Sequence, residues 1–431
     1  MTTADRDTFR THSTMPVKKE STSNPFGLTR RGLIAALSGI AATANAAASK
    51  LQDPSKPWGY DSIYTRLFGI RPFLSCRSHT TIVGGSRMPE EVMRAMVEAN
   101  DYFVDMHELN KAAGDRIAEV TGAEAGLVTA GSFSAMVLAS AACLSGTDPQ
   151  KVAALPHPTW PKRECLMQTG HKIVYDHAFR TGGATLVHAD TRREFERKIT
   201  EKTAMLGVLA SVERRKKPDA GLMMPQEIIE IGKKRGIPVI IDAASELPPV
   251  DSMTRYTKMG ADLVVISGGK GIRGPQSTGI LAGRKDLIEA ATLNHSPNTG
   301  IGRGMKVGKE EIVGFTVALN RYVALDHEAV FETWNRKARW LNEQLQGIPG
   351  LRANYRKNSY GFGEIRFEWD QAVIPLTPNQ VKEKLKAGEP RIVYYDDDKG
   401  GTIQTRTMHD GEEIFAARRL RQFFLEEARR G

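Results

Sequence analysis

The amino-acid sequence predicts an α/β fold in which a large, mostly parallel β-sheet lies between helices and a smaller α+β region follows. Short apolar runs alternate with helical patterns between about residues 126 and 290, which is typical of a parallel sheet covered on both faces. Two of these runs, at 239–241 and 263–266, are rich in β-branched residues and lack polar alternation. We therefore expect these two runs in the middle of the sheet.

The composition is that of a soluble globular protein, because 40% of the 431 residues are hydrophobic and 26% are charged. This length permits one large and one smaller domain, each with its own core. The expected organisation is a leader, an arm, a large domain and a small C-terminal domain, at residues 1–48, 49–86, 87–310 and 311–431. The net charge of +10 is spread along the chain, so it favours acidic small substrates only weakly, and no nucleic-acid partner is expected.

Residues 1–48 have the pattern of a twin-arginine export signal. Arg30 and Arg31 precede a mildly apolar run, and small residues suited to cleavage follow at 44–48. Ser38 and Gly39 interrupt the run, so a membrane anchor is not expected, and the mature form should have no membrane partner. The pattern predicts a periplasmic or other extracytoplasmic protein. An amphipathic or disordered leader on a cytoplasmic protein is the alternative.

The arm ends in Gly84, Gly85 and Ser86, after a stretch marked by Pro, Gly and aromatic residues. Arms of this kind commonly wrap a second subunit, so we expect a homodimer or a larger homo-oligomer. Helical periodicity follows at 88–104 and 109–121.

A short strand, a Gly/Ser turn and a long apolar helix follow from residue 126. Gly131 and Ser132 lie in the turn. Free backbone N–H groups and a hydroxyl at the positive end of a helix can bind a phosphate there. An ordinary helix cap is the commoner use of such a turn.

Two histidines follow the next strand, predicted at 165–168. His171 lies in the turn after it, from which we expect a helix to residue 183, and His177 lies inside that predicted helix. An imidazole at such a turn can stack on an aromatic cofactor, although a structural role is commoner. The later elements predicted before residue 240 are strands at 186–189 and 205–211 and a helix at 225–235.

Each of the two central strands ends in polar residues. Asp242 follows the first, whereas Ser267 ends the second and Lys270 comes shortly after it, between glycines. Parallel strands present their carboxyl ends at one edge, so the carboxylate and the amine should meet there. This pair suits pyridoxal phosphate: Lys270 would form a Schiff base, and Asp242 would keep the pyridine nitrogen protonated. A helix cap at Asp242 and a solvated loop or phosphate anchor at Lys270 are the alternatives.

Basic residues follow the lysine in two loops. Arg273 lies in the first loop, and Arg303 and Lys306 lie in a glycine-rich segment at 294–306. These cations suit the recognition of a carboxylate or phosphate on a substrate, with solvated loops as the alternative. The smaller α+β region is then predicted from a helix, two strands and a final helix, at 310–343, 363–369, 391–395 and 412–429.

The three cysteines, Cys76, Cys143 and Cys165, lack the spacing of metal ligands, and no metal site is expected. Their odd number leaves at least one thiol unpaired. The sequence leaves two alternatives open. Cys76 and Cys165 form a disulfide, or both are free thiols.

With these residues in place, the chain resembles the fold-type I pyridoxal-phosphate family of selenocysteine synthase (L-seryl-tRNA selenium transferase) and D-glucosaminate-6-phosphate ammonia-lyase. The resemblance extends from about residue 70 to the C-terminal end and rests on segments at 84–92, 108–132, 168–178, 240–249, 266–279 and 296–311. It implies that Lys270 is the Schiff-base lysine and Asp242 the partner of the pyridine nitrogen. It also implies phosphate contacts from Gly131, Ser132 and Ser267.

Within this family the ammonia-lyase branch fits better, because the tRNA-dependent enzymes carry an N-terminal RNA-binding domain where this chain has its export signal. Segments 74–79 and 213–217 depart from the family pattern, and both are candidates for the substrate side. The expected activity is that of an ammonia-lyase acting on a hydroxy-amino acid or amino-sugar acid: the β-hydroxyl is lost as water, and hydrolysis of the enamine gives a keto acid and ammonia. A racemase, an aldolase, an aminotransferase and a cofactor-binding homodimer without turnover are the alternatives.

Overall fold

The computed structural model describes residues 58–59, 61–215 and 221–431. The predicted export signal, the first part of the arm and two lysines of the charged run at 213–217 lie outside these described residues. No helix in the described ranges combines the length and the apolar character needed to cross a bilayer.

The described residues form fourteen α-helices and thirteen strands. In chain order, helices α1 to α14 are Ile63–Phe68, Glu90–Asn100, Met106–Thr121, Gly131–Ser145, Pro149–Ala154, His177–Thr181, Arg192–Lys198, Pro225–Arg235, Ser252–Met259, Lys285–Asn294, Lys309–Ala324, His327–Gln344, Pro378–Ala387 and Glu412–Ala428. Strands β1 to β13 are Leu74–Ser75, Ala125–Thr129, Glu164–Gln168, Thr185–Ala189, Thr203–Leu209, Val239–Asp242, Leu263–Ser267, Gly279–Gly283, Leu351–Lys357, Gly363–Trp369, Ile392–Val393, Tyr395–Asp397 and Gly400–Gln404.

The larger sheet has seven strands in the order β2-β8-β7-β6-β5-β3-β4. Strand β8 runs antiparallel to both of its neighbours, whereas the pairs from β7 to β4 are parallel. Strands β6 and β7 are buried along their whole length, as their unbroken apolar sequences predict. The predicted mostly parallel α/β fold is therefore confirmed.

Helices cover both faces of this sheet. Successive strand residues point to opposite faces, so Ile241 packs in one core with residues of α3, α8 and α11, while its neighbour Ile240 packs in another with residues of α4 and α10. Helix α4 is buried on nearly all sides. Its start, after β2, lies at the same edge of the sheet as the ends of β6 and β7, because these strands run in the same direction.

The smaller sheet has four antiparallel strands in the order β12-β13-β10-β9. It packs with α12 and α14 around a separate core that includes Phe367, Leu341 and Phe424. Leu74 and Cys76 belong to the same core. They reach it because β1 pairs in parallel with β11, with Leu74 beside Ile392.

Two predicted helices differ in the structure. The expected helix from residue 169 to 183 is a 3-10 turn at Thr169–His171 and a separate α6, because the His171 ring is bonded to the backbone of neighbouring segments. The expected helix at 310–343 is divided between α11 and α12. Asp326 stands at the division, where its side chain accepts a hydrogen bond from the N–H of Ala329 and caps α12.

The described cysteines are all free thiols. Cys76 and Cys165 are each fully buried, but they lie in different cores. The disulfide alternative is therefore wrong for this structure.

Candidate cofactor and substrate site

Asp242 and Lys270 meet at the carboxyl edge of the larger sheet, as predicted. Asp242 ends β6 beside Val265 of β7, and its Oδ1 accepts a hydrogen bond from the N–H of Ala244 at 3.0 Å. Burial raises the pKa of Asp242, whereas the N–H of Ala244 and the charge of Lys270 act to lower it. Burial also lowers the pKa of Lys270, an effect that attraction to Asp242 partly offsets. A lysine with a lowered pKa is more often neutral, and the neutral amine is the nucleophile that attacks an aldehyde.

The end of the N-terminal arm holds the loop that carries Lys270. Ser86 donates its backbone N–H and its hydroxyl to the carbonyl oxygen of Gly269, each at 3.1 Å. On the other side of the lysine, a Cβ atom at Gly271 would lie 2.6 Å from the carbonyl oxygen of Leu247, so a larger residue would displace the loop. The backbone of Lys270 is thus fixed on both sides.

The turn before α4 leaves backbone donors for an anion. Ala130, at the N-cap, makes no side-chain capping bond, and the hydroxyl of Ser134 donates back to the carbonyl of Ala130 at 2.8 Å. Gly131 has a φ of 80°, and a Cβ atom there would have no neighbour within 4 Å. No N-cap side chain therefore bonds the first N–H groups of α4, which lie at the positive end of the helix dipole, where a phosphate is stabilised.

Close backbone packing brings this turn next to Ser267. Ser267 is the register partner of Gly279, and a Cβ atom at Gly279 would lie 2.5 Å from the carbonyl carbon of Gly131. Gly131, Ser132 and Ser267 therefore lie together. An amine, a carboxylate and an uncapped helix start at one sheet edge fit the aldehyde, the pyridine nitrogen and the phosphate of pyridoxal phosphate.

His171 lies at the same edge, but its ring is fully buried. Its Nδ1 accepts a hydrogen bond from the N–H of Leu209 at 3.0 Å, so its Nε2 carries the proton and donates to the carbonyl of Met223 at 2.9 Å. Leu209 is the register partner of Asp242. Burial lowers the pKa of His171. Stacking of this ring on the cofactor stays a prediction.

His177 is exposed and begins α6 instead of lying inside a longer helix. Its Nδ1 donates to the carbonyl of Val174 at 2.6 Å. Its ring centroid lies 4.9 Å from that of Phe133, the residue after Ser132. The histidine therefore lies beside the start of α4, and its role toward the cofactor stays a prediction.

The three cations predicted to bind substrate occupy different places. Arg273 lines a cavity of about 30 Å³ beside the Lys270 loop, together with His79, Trp334 and Arg406. Arg303 and Lys306 are exposed on the glycine-rich segment, and neither lines this cavity. Their role in substrate binding stays a prediction.

Arg406 is a candidate functional residue that the sequence analysis missed. Its charge acts to lower the pKa of Lys270, and its guanidinium lies 4.8 Å from the ring centroid of Phe362. The Nε of Arg406 is buried and has no hydrogen-bond partner among the described residues, and burial lowers its pKa to about 10. A guanidinium whose Nε is buried and which has no carboxylate partner among the described residues favours an anionic ligand. The sequence signal for it is an arginine between two threonines directly after a strand.

Arg214, in the charged run at 213–217, contacts a residue that lies near Arg406. Arg214 forms an ion pair with buried Glu246 and donates to the hydroxyl of Tyr360 at 2.9 Å. The ring of Tyr360 also lies 5.8 Å from the guanidinium of Arg406. The prediction that this run is near the substrate is thus consistent with the contacts of Arg214.

A larger cavity of about 660 Å³ lies between α3 and α10, beside the first residues of β2. This is the opposite end of β2 from Gly131. Its lining includes charges of both signs, such as Lys111 and Asp115, and none of the residues of the cofactor site.

The fold and this site define a pyridoxal-phosphate enzyme of fold type I. The family model for aminotransferase class-V matches residues 189–368. A 5'-C-glycyluridine monooxygenase-decarboxylase of a Streptomyces species is 33% identical over 83% of this chain and 91% of its own length. The chain belongs to the class-V aminotransferase family of pyridoxal-phosphate enzymes, which confirms the predicted cofactor.

Two further relatives carry the names given in the resemblance above. D-glucosaminate-6-phosphate ammonia lyase of Salmonella typhimurium is 29% identical over 84% of this chain and 97% of its own length. L-seryl-tRNA(Sec) selenium transferase of Desulfotalea psychrophila is 23% identical over 81% of this chain and 80% of its own. A solved structure of D-glucosaminate-6-phosphate ammonia-lyase has a TM-score of 0.75 at 28% identity, covering 85% of this chain and 99% of that one. The protein is thus an enzyme with lyase-like activity.

Proposed function

We propose that this enzyme removes the β-hydroxyl of an α-amino acid as water. Hydrolysis of the resulting enamine then consumes one water molecule, so the net products are a keto acid and ammonia. The observation that carries the proposal is the guanidinium of Arg406, which has no carboxylate partner among the described residues and lines a cavity beside the loop of Lys270. The substrate class includes amino-sugar acids.

Each residue has a role that its surroundings support. When bound, pyridoxal phosphate supplies an electron sink for bonds at the α-carbon of an amino acid. Arg406 binds the substrate carboxylate, because a guanidinium matches a carboxylate with two parallel hydrogen bonds. The Nζ of Lys270, whose pKa is lowered by burial, accepts the proton from the α-carbon. Asp242 holds the pyridine nitrogen in its protonated state.

The names of two relatives support this substrate class, because glucosaminate and glycyluridine both denote an amino acid group carried on a sugar. A second candidate function is oxidative decarboxylation of such an amino acid. The 33% identity to the monooxygenase-decarboxylase favours it. Racemisation, aldol cleavage and transamination remain alternatives at the same site.

The export signal supports an unphosphorylated substrate. If Arg30 and Arg31 direct export of the folded enzyme, its substrate is met outside the inner membrane, where phosphorylated sugar acids are scarce. The substrate is then a free hydroxy-amino acid or an unphosphorylated amino-sugar acid.

Exposed apolar side chains support a homo-oligomer. Phe103 is fully exposed, and Leu67, Phe68, Ile82 and Val174 each expose more than half of their surface. A contiguous apolar surface is typical of a protein interface, and we propose that these side chains lie in one. A homodimer would cover it, and light scattering of the purified mature protein measures the molar mass.

The experiment that tests the function is a substrate screen. Purified holoenzyme is incubated with serine, threonine and D-glucosaminate, with both configurations of the first two. Ammonia, keto acid, carbon dioxide and oxygen uptake are measured together. Equal amounts of ammonia and keto acid without oxygen uptake support the lyase. Oxygen uptake with release of carbon dioxide supports the second candidate, and the absence of ammonia from every hydroxylated compound counts against the proposal.

A further inference from the structure

His79 lies on the stretch of chain that connects Arg406 to the loop of Lys270. The residue before it, Ser78, accepts a hydrogen bond from the guanidinium of Arg406. Seven residues after it, Ser86 donates twice to Gly269, next to Lys270. His79 therefore lies on a segment that contacts Arg406 at one point and the loop of Lys270 at another.

The backbone leading to His79 is also held firmly. The N–H of Cys76 donates to the carbonyl of Val393 at 2.8 Å, and its carbonyl accepts from the N–H of Gln404 at 2.9 Å. The hydroxyl of Thr407 donates to the carbonyl of Arg77 at 3.0 Å. The segment therefore presents His79 from a rigid support, which is what precise recognition of a ligand requires.

The side chain of His79 is only 7% exposed and lines the small cavity beside the Lys270 loop. At about 30 Å³ the cavity accommodates a small polar group and not a whole substrate. Arg273 and Arg406 line the same cavity, so an anionic part of a ligand has guanidinium partners there. His79 is then free to contact a part of the ligand other than its anionic group.

Charge and burial make His79 a partner for an uncharged group. Burial and the positive charges of Arg406, Lys270 and Arg273 lower its pKa well below the usual value, so the imidazole is neutral at neutral pH. A neutral imidazole offers one donor and one acceptor, and so does a hydroxyl group. In a β-hydroxy amino acid the hydroxyl is on the carbon next to the one that carries the carboxylate.

We propose that His79 hydrogen-bonds the β-hydroxyl of the substrate and thereby selects hydroxylated amino acids over those that lack the hydroxyl. This assignment rests on the proposed function, because it takes the carboxylate to be bound by Arg406. It names a specificity-determining residue in the segment at 74–79, which departs from the family pattern.

The test compares ligands that differ only in the hydroxyl: serine with alanine and threonine with 2-aminobutyrate, in both configurations. The receptor is holoenzyme reduced with borohydride, because the cofactor then stays on the lysine and turnover does not disturb the equilibrium. Calorimetry measures the dissociation constants. The parent should bind the hydroxylated member of a pair about threefold to tenfold more tightly, the contribution of one neutral hydrogen bond.

Three variants separate recognition from structure. His79→Phe should remove the preference, and His79→Gln, whose amide keeps a donor and an acceptor, should retain part of it. His157→Phe makes the same change at an exposed histidine and should leave the preference unchanged. His79→Leu is the second apolar variant if circular dichroism shows that His79→Phe does not fold.

A parent that does not prefer the hydroxylated ligand overturns the assignment, and so does an apolar variant that keeps the full preference. Ammonia release by unreduced holoenzyme is measured separately. A preference that depends on His79, without ammonia release, leaves the assignment standing and rejects the lyase. If ammonia is released and the parent and the apolar variant show the same preference, the assignment of His79 is rejected and the lyase function stands.

Discussion

Arg406 donates a hydrogen bond to the hydroxyl oxygen of Ser78. This contact joins the loop after β13 to the segment after β1, and it leaves the Nε of Arg406 without a described hydrogen-bond partner. The guanidinium is thus oriented by a neutral group and keeps its full charge for a ligand.

Replacing Arg406 should weaken substrate binding more than it slows turnover. Arg406→Gln should raise KM about tenfold to a hundredfold, because the carboxylate loses its charged partner in a buried site. Arg406→Lys should recover only part of the loss, since a lysine lacks the planar fork. Steady-state kinetics with the substrate found in the screen measure this. Exposed Arg352 provides the control Arg352→Gln, and an unchanged KM in Arg406→Gln would contradict the role.

The covalent link to the cofactor is expected at Lys270. Purified parent should absorb at about 420 nm, as a cofactor bound to a lysine does, and Lys270→Ala should lose this band. After reduction with borohydride, peptide mass mapping should find the cofactor on Lys270. Exposed Lys285 gives the control Lys285→Ala, which should keep the band. A label on another lysine would show that the assignment is wrong.

Asp242 should matter for turnover more than for retention of the cofactor. Asp242→Asn should bind the cofactor but lose roughly a hundredfold or more in kcat, because a neutral amide does not hold the pyridine nitrogen in its charged state. Absorbance and kcat are measured on the same preparation. Asp251→Asn, at an exposed carboxylate nearby, is the matched control. A kcat equal to that of the parent would mean that another group holds the ring nitrogen.

The free energy of unfolding should fall in mild acid, in part because of His295. This histidine is 1% exposed, and burial lowers its pKa to about 4. The unfolded chain therefore binds the proton first, so stability is lost as the pH falls from about 6.5 toward 4. One such group lowers the free energy of unfolding by about 3 kcal/mol over this pH range. Urea unfolding of the cofactor-free protein at pH 7 and 4.5 should show a smaller loss for His295→Gln than for the parent. An equal loss in both would exclude the contribution of His295.

Export should depend on the arginine pair. Cell fractionation of the parent should find mature protein, beginning near residue 47 or 49, outside the inner membrane. The double variant Arg30→Lys/Arg31→Lys should remain inside the cell as full-length protein. Full-length cytoplasmic protein in both cases would remove the argument for an unphosphorylated substrate and favour a phosphorylated amino-sugar acid.

The sequence predicted where Asp242 and Lys270 lie in the fold, because both residues follow strong local patterns. Asp242 and Lys270 come after apolar runs that need burial on both faces, and such runs pair as neighbouring parallel strands. Helix α8 begins at Pro225 and is followed by Gly236 in a left-handed conformation, and both signals are visible in the sequence. The local sequence pattern alone was enough to predict these elements.

The substrate side could not be predicted in the same way. His79 and Arg406 line the same cavity. The segment that ends in His79 is held there by the pairing of β1 with β11, two strands of two residues each, and by the N–H of Gln404 in β13, which donates to the carbonyl of Cys76. A strand this short has no periodicity to detect. The helix expected from residue 169 was wrong for a related reason. The Nδ1 of His171 accepts a hydrogen bond from the N–H of Leu209 and its Nε2 donates to the carbonyl of Met223, and both partners are distant in the sequence.

The bond between Thr407 and Arg77 joins residues 330 positions apart, and this sets an order of assembly during synthesis. The strands that present Asp242 and Lys270 leave the ribosome well before β13 is translated, so the cofactor edge can form on the nascent chain. The segment that ends in His79 lacks its hydrogen-bond partners near Thr407 until the last part of the chain has emerged from the ribosome. The substrate side is therefore the last part of the site that a growing chain can complete.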